Sequence, residues 1–263
     1  MKKLNIIKVG GNIIDDELKL AQFTKNLSFL EEPFILIHGG GKLATDLAEK
    51  LNIPQQLVDG RRITSADTLK IATMTYAGFI NKNIVAQLQQ NSVNSIGLSG
   101  ADGNLILSKQ RNKHPIDFGY VGDITKESIN ITLLKNLIDM QLTPIICAIT
   151  HDKKGQLLNT NADEIAKAIA CSLSDSFEVE LIYCFEKNGV LLNPEDDNSV
   201  IEQLNEVGFL SLKEKGIINK GMLPKLENCF NALKEGVTQV GIINASNIVN
   251  FITKSTSNGT QIK

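Results

Sequence analysis

The sequence predicts an α/β fold in which a mostly parallel, open sheet is flanked by helices and the chain divides into two lobes. Short apolar runs that end at glycine or polar turns alternate with amphipathic helical stretches, as a doubly wound sheet requires. The 263 residues are 42% hydrophobic, enough for a large core. With 27 Lys+Arg against 29 Asp+Glu the net charge is −2, which gives no electrostatic case for nucleic acid or an anionic membrane as partner. A small-molecule substrate fits better.

Residues 4–9 form the first predicted strand. Its apolar run is cut by Lys8 and Gly10, too short for a signal-peptide core or a membrane span, so a cytoplasmic protein is expected. Residues 34–38 are the second strand. Leu43, Leu47 and Leu51 then repeat at helical spacing over 41–51, and 65–90 reads as a longer helical pattern. A strand at 95–98 is followed by short β-like pieces broken by charge, Pro115 and Gly119, which predicts a β-hairpin excursion over 106–124. A strand at 144–149 leads to a helix over 163–172 carrying Ile165 and Ile169 among alanines. A polar turn near 174–178 is the expected boundary, dividing the chain into 1–175 and 176–263; strands at 180–183 and 239–243 complete the sheet.

Lys8-Val9-Gly10-Gly11 puts a cation and two permissive glycines where the first strand ends, the edge at which open α/β sheets bind ligands; an ordinary turn after a snorkelling lysine would read the same way. His38-Gly39-Gly40-Gly41 follows the second strand and opens a helix, so unhindered N–H groups and a helix dipole can face an anion together. The spacing fits neither a P-loop nor a dinucleotide fingerprint. His38 itself reads as a packed strand-end residue. Asp59-Gly60-Arg61-Arg62-Ile63-Thr64 sets two guanidiniums beside a turn, suited to gripping a carboxylate or simply to a solvated basic loop. Asn159-Thr160-Asn161-Ala162-Asp163 supplies more polar groups than one helix cap needs, which points to a ligand contact or an orienting carboxylate. Lys220-Gly221-Met222-Leu223-Pro224-Lys225 is a turn before another helix. Cys147, Cys171, Cys184 and Cys229 lack metal or disulfide spacing and are expected to be buried thiols. With Trp absent and three Tyr, little is available for stacking on single-stranded nucleic acid.

In this order, KVGG, HGGG, DGRRIT, GLSGADG, FGYVGDI, NTNADEIAKAIA and KGMLPKLENC resemble N-acetylglutamate kinases of the amino-acid kinase superfamily, over about residues 3–249. The resemblance implies an αβα sandwich whose first lobe holds an acylglutamate and whose second holds ATP, in arginine biosynthesis. It implies that Lys8 and Lys225 flank the transferring phosphoryl group, that Asp163 positions them, and that Gly10, Gly11 and Gly221 face ATP phosphates, which places Lys220 beside the same phosphates. It further implies that Gly40, Gly41, Arg62, Asn159 and Asn161 bind the acceptor, with Mg²⁺ arriving on ATP and no all-protein metal site. A homodimer joined through 65–90 is expected, insensitive to arginine because no N-terminal helix precedes Lys8. Three positions depart from the pattern. Phe185-Glu186-Lys187-Asn188 replaces a Thr-Asp or Ser-Asp pair, and Lys220 adds a cation. Arg61 stands where an apolar residue is usual near the acyl group, which raises N-succinylglutamate as the acceptor. Another carboxylate or carbamate kinase, or a non-catalytic nucleotide- or metabolite-sensing module, are the alternative readings.

Overall fold

The computed structural model describes the chain except for Gly41, Asp59, Gly60, Pro194, 219–221 and 255–258, and of Arg61 it describes the backbone only. Among the described residues an eight-stranded sheet is built from β1 (Lys3–Val9), β2 (Phe34–His38), β3 (Ser95–Leu98), β4 (Thr143–Cys147), β5 (Glu178–Phe185), β6 (Gln203–Leu204), β7 (Gln239–Asn244) and β8 (Thr260–Ile262). Their order is β6-β8-β7-β5-β1-β2-β4-β3. From β7 to β3 every pairing is parallel; β8 runs antiparallel to β7 and β6 pairs parallel with β8. The expected fold class is therefore the observed one. The sheet is continuous across 174–178, since β5 pairs with β1 from Lys3↔Glu178 to Val9↔Cys184.

Both faces of the central strands are covered, which is why they read as unbroken apolar runs. Ile6, Ile7, Ile35, Leu36, Ile37, Leu181 and Ile182 are all at 0% exposure. The Ala162–Leu173 helix packs on β1, β2 and β5, and its small residues and two isoleucines bury almost its whole length. Its N-terminus consequently lies at the carboxyl ends of the strands. Ala66–Ala72, Thr73–Ile80 and Asn81–Gln90 form one continuous helical rod whose middle segment is π-helical. Wider hydrogen-bonded rings of this kind cluster at functional sites.

Four details differ from the sequence expectation. The strand expected over 144–149 leaves the sheet after Cys147. Ile149–His151 pairs instead with Leu157–Asn159, while the Ala148 carbonyl accepts from Thr160 N at 3.0 Å and the Ile149 carbonyl from Gly100 N at 2.7 Å. The helix after β2 spans Leu43–Lys50 and buries Ala44 and Ala48 most deeply, leaving Leu51 at 52% exposure; the small residues allow closer approach than the leucine stripe would. β6 and β8, with two and three residues, are too short to show a period in sequence. Gln56–Val58 and Arg61–Ile63 form an antiparallel pair.

The predicted excursion is present, with Lys109–Gln110 pairing antiparallel to Gly122–Asp123. Gly119 anchors it at φ +70, where an added Cβ would stand 2.3 Å from the Thr64 carbonyl oxygen, so glycine is required on both counts. All four cysteines are free and buried. Among the described residues no helix is long and apolar enough to cross a membrane.

Candidate functional site

Three charged side chains from three elements meet above the carboxyl edge of the sheet. Lys8 comes from β1, Asp163 from the first turn of the Ala162–Leu173 helix, and Lys225 from the first turn of the Leu223–Lys234 helix, which opens with Pro at its start. Lys8 Nζ lies 2.9 Å from Asp163 Oδ1 and Lys225 Nζ 3.3 Å from Oδ2. The Oδ1 contact is poorly aligned for a hydrogen bond, so charge more than direction holds that pair. Burial pushes the Asp163 carboxyl up, but the two ammonium groups outweigh it and hold it below the usual carboxylate value. For Lys225 burial wins over the attraction of Asp163 and lowers its value, with the charge of Lys8 adding to the effect. Asn161 caps the same helix, its Oδ1 accepting from Asp163 N at 2.7 Å and Glu164 N at 3.3 Å.

A cavity of about 280 Å³ opens on one side of Lys8 and Asp163, walled by Gly40, Arg62, Tyr76, Arg111 and Asn159 among others. Arg62 is held in place within it. Its Nη1 donates to Gln55 Oε1, its Nη2 to Thr45 Oγ1 at 2.9 Å, and Gln55 Nε2 is tied at 3.3 Å to Thr68 Oγ1 on the long rod. Asn159 Nδ2 donates to Thr64 Oγ1 at 3.1 Å. Tyr76, in the π-helical segment, lies over Gly40 so closely that a Cβ there would be 1.5 Å from its Cε1. Burial pushes its phenol up, opposed by the charge and hydrogen bond of Arg62. Arg111 is paired with Asp123 and stands 5.3 Å over the Phe118 ring.

The turn after β2 is braced from behind. His38 is fully buried; its Nδ1 lies 2.8 Å from the Gly39 carbonyl and its Nε2 3.0 Å from Asn81 Nδ2, which also donates to the Ile145 carbonyl at 2.9 Å. The amide must donate to the ring, so the proton sits on Nδ1 and the imidazole is neutral. Burial, with Gly39 opposing and the Lys82 charge assisting, holds it down at about 4.

On the other side a cavity of about 370 Å³ is walled by Lys8, Gly10, Gly11, Phe185, Gly189, Met222 and Lys225, among others. Gly10 N donates to the Cys184 carbonyl at 3.0 Å and Gly10 caps the short Gly11–Ile14 helix. Beyond Gly189 a smaller space of about 110 Å³ has walls of Val190, Leu191, Ile217, Ile218 and Met222. Lys8 belongs to both larger cavities, so a group in transit between them passes an ammonium. A larger recess of about 540 Å³ lies outside this centre, among Lys19, Gln22, Asn26, Asn244 and Ser246.

The structure thus brings together Lys8, Gly10, Gly11, Gly40, Arg62, Asn159, Asn161, Asp163 and Lys225. Gly41, Lys220, Gly221 and the Arg61 side chain lie outside the described residues. Sequence reading missed Tyr76 and Arg111. Tyr76 had no visible signal, since an aromatic in a helical pattern reads as core; Arg111 sat in a stretch recognised only as a hairpin.

A model of the family described as "Amino acid kinase family" matches residues 3–244. The acetylglutamate kinase of Cytophaga hutchinsonii is 50% identical over 263 residues, covering 100% of this chain and 99% of its own length. The acetylglutamate kinase of Bacteroides fragilis is 47% identical over 262 residues, covering 100% and 97%. A solved structure from Streptococcus mutans superposes with a TM-score of 0.78 at 26% identity, covering 99% of this chain and 98% of that one.

Proposed function

The chain belongs to the amino acid kinase family, and from that premise we propose that it transfers the γ-phosphoryl group of ATP to the side-chain carboxylate of N-acetyl-L-glutamate, a step of arginine biosynthesis. The acceptor follows the name of the full-length relatives. The observation that carries the chemistry is the ammonium of Lys8 standing between two cavities, with an arginine in one and glycine amides and a second lysine in the other. Nothing among the named relatives favours the succinyl acceptor that Arg61 raised as an alternative.

In this reading the α-carboxylate of the acceptor is held by Arg62 and its acylated amino group lies toward Asn159 and Asn161, with Gly40 and Gly41 at the reacting end. ATP lies along Gly10, Gly11, Lys220 and Gly221. Residues 1–175 hold the acceptor and 176–263 hold most of the nucleotide, its base against the apolar walls around Val190 and Met222. A glutamate side chain, with a reference pKa of about 4.3, is already ionised at neutral pH and needs no general base. The barrier is instead the approach of two anions, which Lys8 and Lys225 lower by placing positive charge along the path of the phosphoryl group. Asp163 keeps the two ammoniums apart and aimed. An Mg²⁺ ion brought in with ATP would supply further positive charge to the phosphates. The residues present fit an ion that would arrive with its nucleotide, because Asp163 is already engaged by two lysines.

A cytoplasmic homodimer completes the proposal, joined through the long rod, where Met74 and Phe79 are 55% and 65% exposed. ADP release, coupled to a reporter and measured over N-acetyl-L-glutamate, L-aspartate and carbamate, tests the assignment. Turnover is expected with the first alone. Activity with carbamate or aspartate and none with N-acetylglutamate would replace the acceptor.

A further inference from the structure

Phe185 ends β5 inside the segment that departs from the family pattern, and its ring forms a shelf beneath the charged centre. Lys225 Nζ stands 3.6 Å from the ring centroid and Lys8 Nζ 5.8 Å. The shelf is two rings deep: Phe185 is stacked on Tyr183 with centroids 6.4 Å apart and planes inclined by 8°, and Lys225 is also 5.7 Å over Tyr183. The ring also helps wall the cavity assigned to ATP.

Two ammonium groups here share a single carboxylate, so one of them is always short of negative charge, and the shortage falls on Lys225, whose approach to Asp163 is the longer of the two. A second carboxylate would balance it but would also repel the phosphates. A hydroxyl would tie the ammonium in one direction. An aromatic face attracts a cation through its quadrupole, carries no net charge toward an incoming anion, and leaves the ammonium free to turn over it.

We propose that Phe185 is a positioning residue for Lys225, an uncharged counter-group that holds the ammonium over the nucleotide cavity without competing for phosphate. The inference rests on the phosphoryl-transfer reading, with Lys225 as the group that touches the reacting phosphoryl. Its loss should therefore appear in turnover and not in ATP affinity. If Phe185 instead served only to pack against the nucleotide, its removal would raise the KM for ATP and leave kcat.

The test compares Phe185→Leu with Phe185→Tyr, both checked for wild-type thermal unfolding. Phe185→Leu is expected to lower kcat about tenfold with the KM for ATP within about twofold of wild type, and Phe185→Tyr, which keeps the face, to restore kcat. Unchanged kcat in the leucine variant, a loss seen only in KM, or a tyrosine variant as poor as leucine would each overturn the proposal. NMR of the lysine side chains in the nucleotide-free enzyme gives an independent reading. The Lys225 Hε signals should be shifted upfield by the ring and return to ordinary values in Phe185→Leu; ordinary values in the wild type would overturn the contact itself. That measurement needs no substrate, so failure of the acceptor assignment and failure of this inference are told apart.

Discussion

On one side of Lys8 polar side chains of the cavity wall are tied to residues behind them: Arg62 to Gln55 and Thr45, and Asn159 to Thr64, while His38 behind the glycine turn is tied to Asn81. On the other side the wall includes glycine backbone, an aromatic shelf and apolar side chains, together with Lys187 and Glu186. On the first side, the proposed acceptor side, each polar group has a neighbour that fixes it, which would suit one small, doubly charged molecule. The other, the proposed nucleotide side, offers surfaces and N–H groups, which would suit a long flexible ligand carrying its own charge. Selectivity should therefore reside in the first region and turnover in the lysines where the two meet.

Removing the shared ammonium is the harshest test of that division. Lys8→Ala should lower kcat by about 10³ with modest changes in both KM values, and Lys225→Ala by a comparable factor. A loss confined to KM would erase the distinction between a binding side and a reacting centre. Next comes the brace behind the acceptor side. An unfolded imidazole takes up a proton near pH 6.5, whereas the buried His38 resists until about 4. The unfolded state thus binds more protons across that window, and the stability contributed by the neutral ring, intact above pH 6.5, is lost as pH falls toward 4. Relative to His38→Asn, wild type should lose about 3 kcal/mol between pH 7 and pH 4, measured by denaturant unfolding. A constant difference would mean that the ring is not held neutral.

The remaining tests are finer. Arg62→Ala should raise the KM for N-acetylglutamate about 100-fold while leaving that for ATP unchanged, as expected for loss of a charged, oriented donor. Equal effects on both substrates would blur the two regions into one. Asn159→Ala should cost about tenfold in the acceptor's KM, since it removes a neutral hydrogen bond. A larger effect from Asn159 than from Arg62 would reverse the order of importance on the acceptor side.

The same contrast explains what could be read in the sequence. The acceptor side is spelled in residue types that rarely cluster without reason, Arg62 beside a turn and two asparagines before a helix, and the central strands announce themselves as apolar runs such as those of β1 and β2. Lys8, Asp163 and Lys225 were legible only as a set, through the family resemblance, since two lysines 217 positions apart do not reveal in sequence that they share a carboxylate. Phe185 was visible as a departure, but its place under Lys225 depends on the direction in which a strand-end side chain points, which sequence spacing does not fix. Tyr76 was hidden for a different reason: the helix changes its winding at Thr73–Ile80, so ordinary helical spacing misplaces the face it presents. The break of the fourth strand at Ala148 was hidden too, because Ile149 continues the apolar run while its carbonyl pairs elsewhere.

β8 is inserted between β7 and β6, and among the described residues β6 has no other partner in the sheet. In a chain synthesised from its N-terminus, β6 leaves the ribosome before either strand that will order this edge and has to wait for the stretch that contains Thr260–Ile262. The nascent protein can therefore assemble its lysine-bearing central strand early, yet it carries an open, unpaired margin until Thr260–Ile262 have been made and have left the ribosome. That interval is when it would be most open to chaperones and to pairing with another copy of itself.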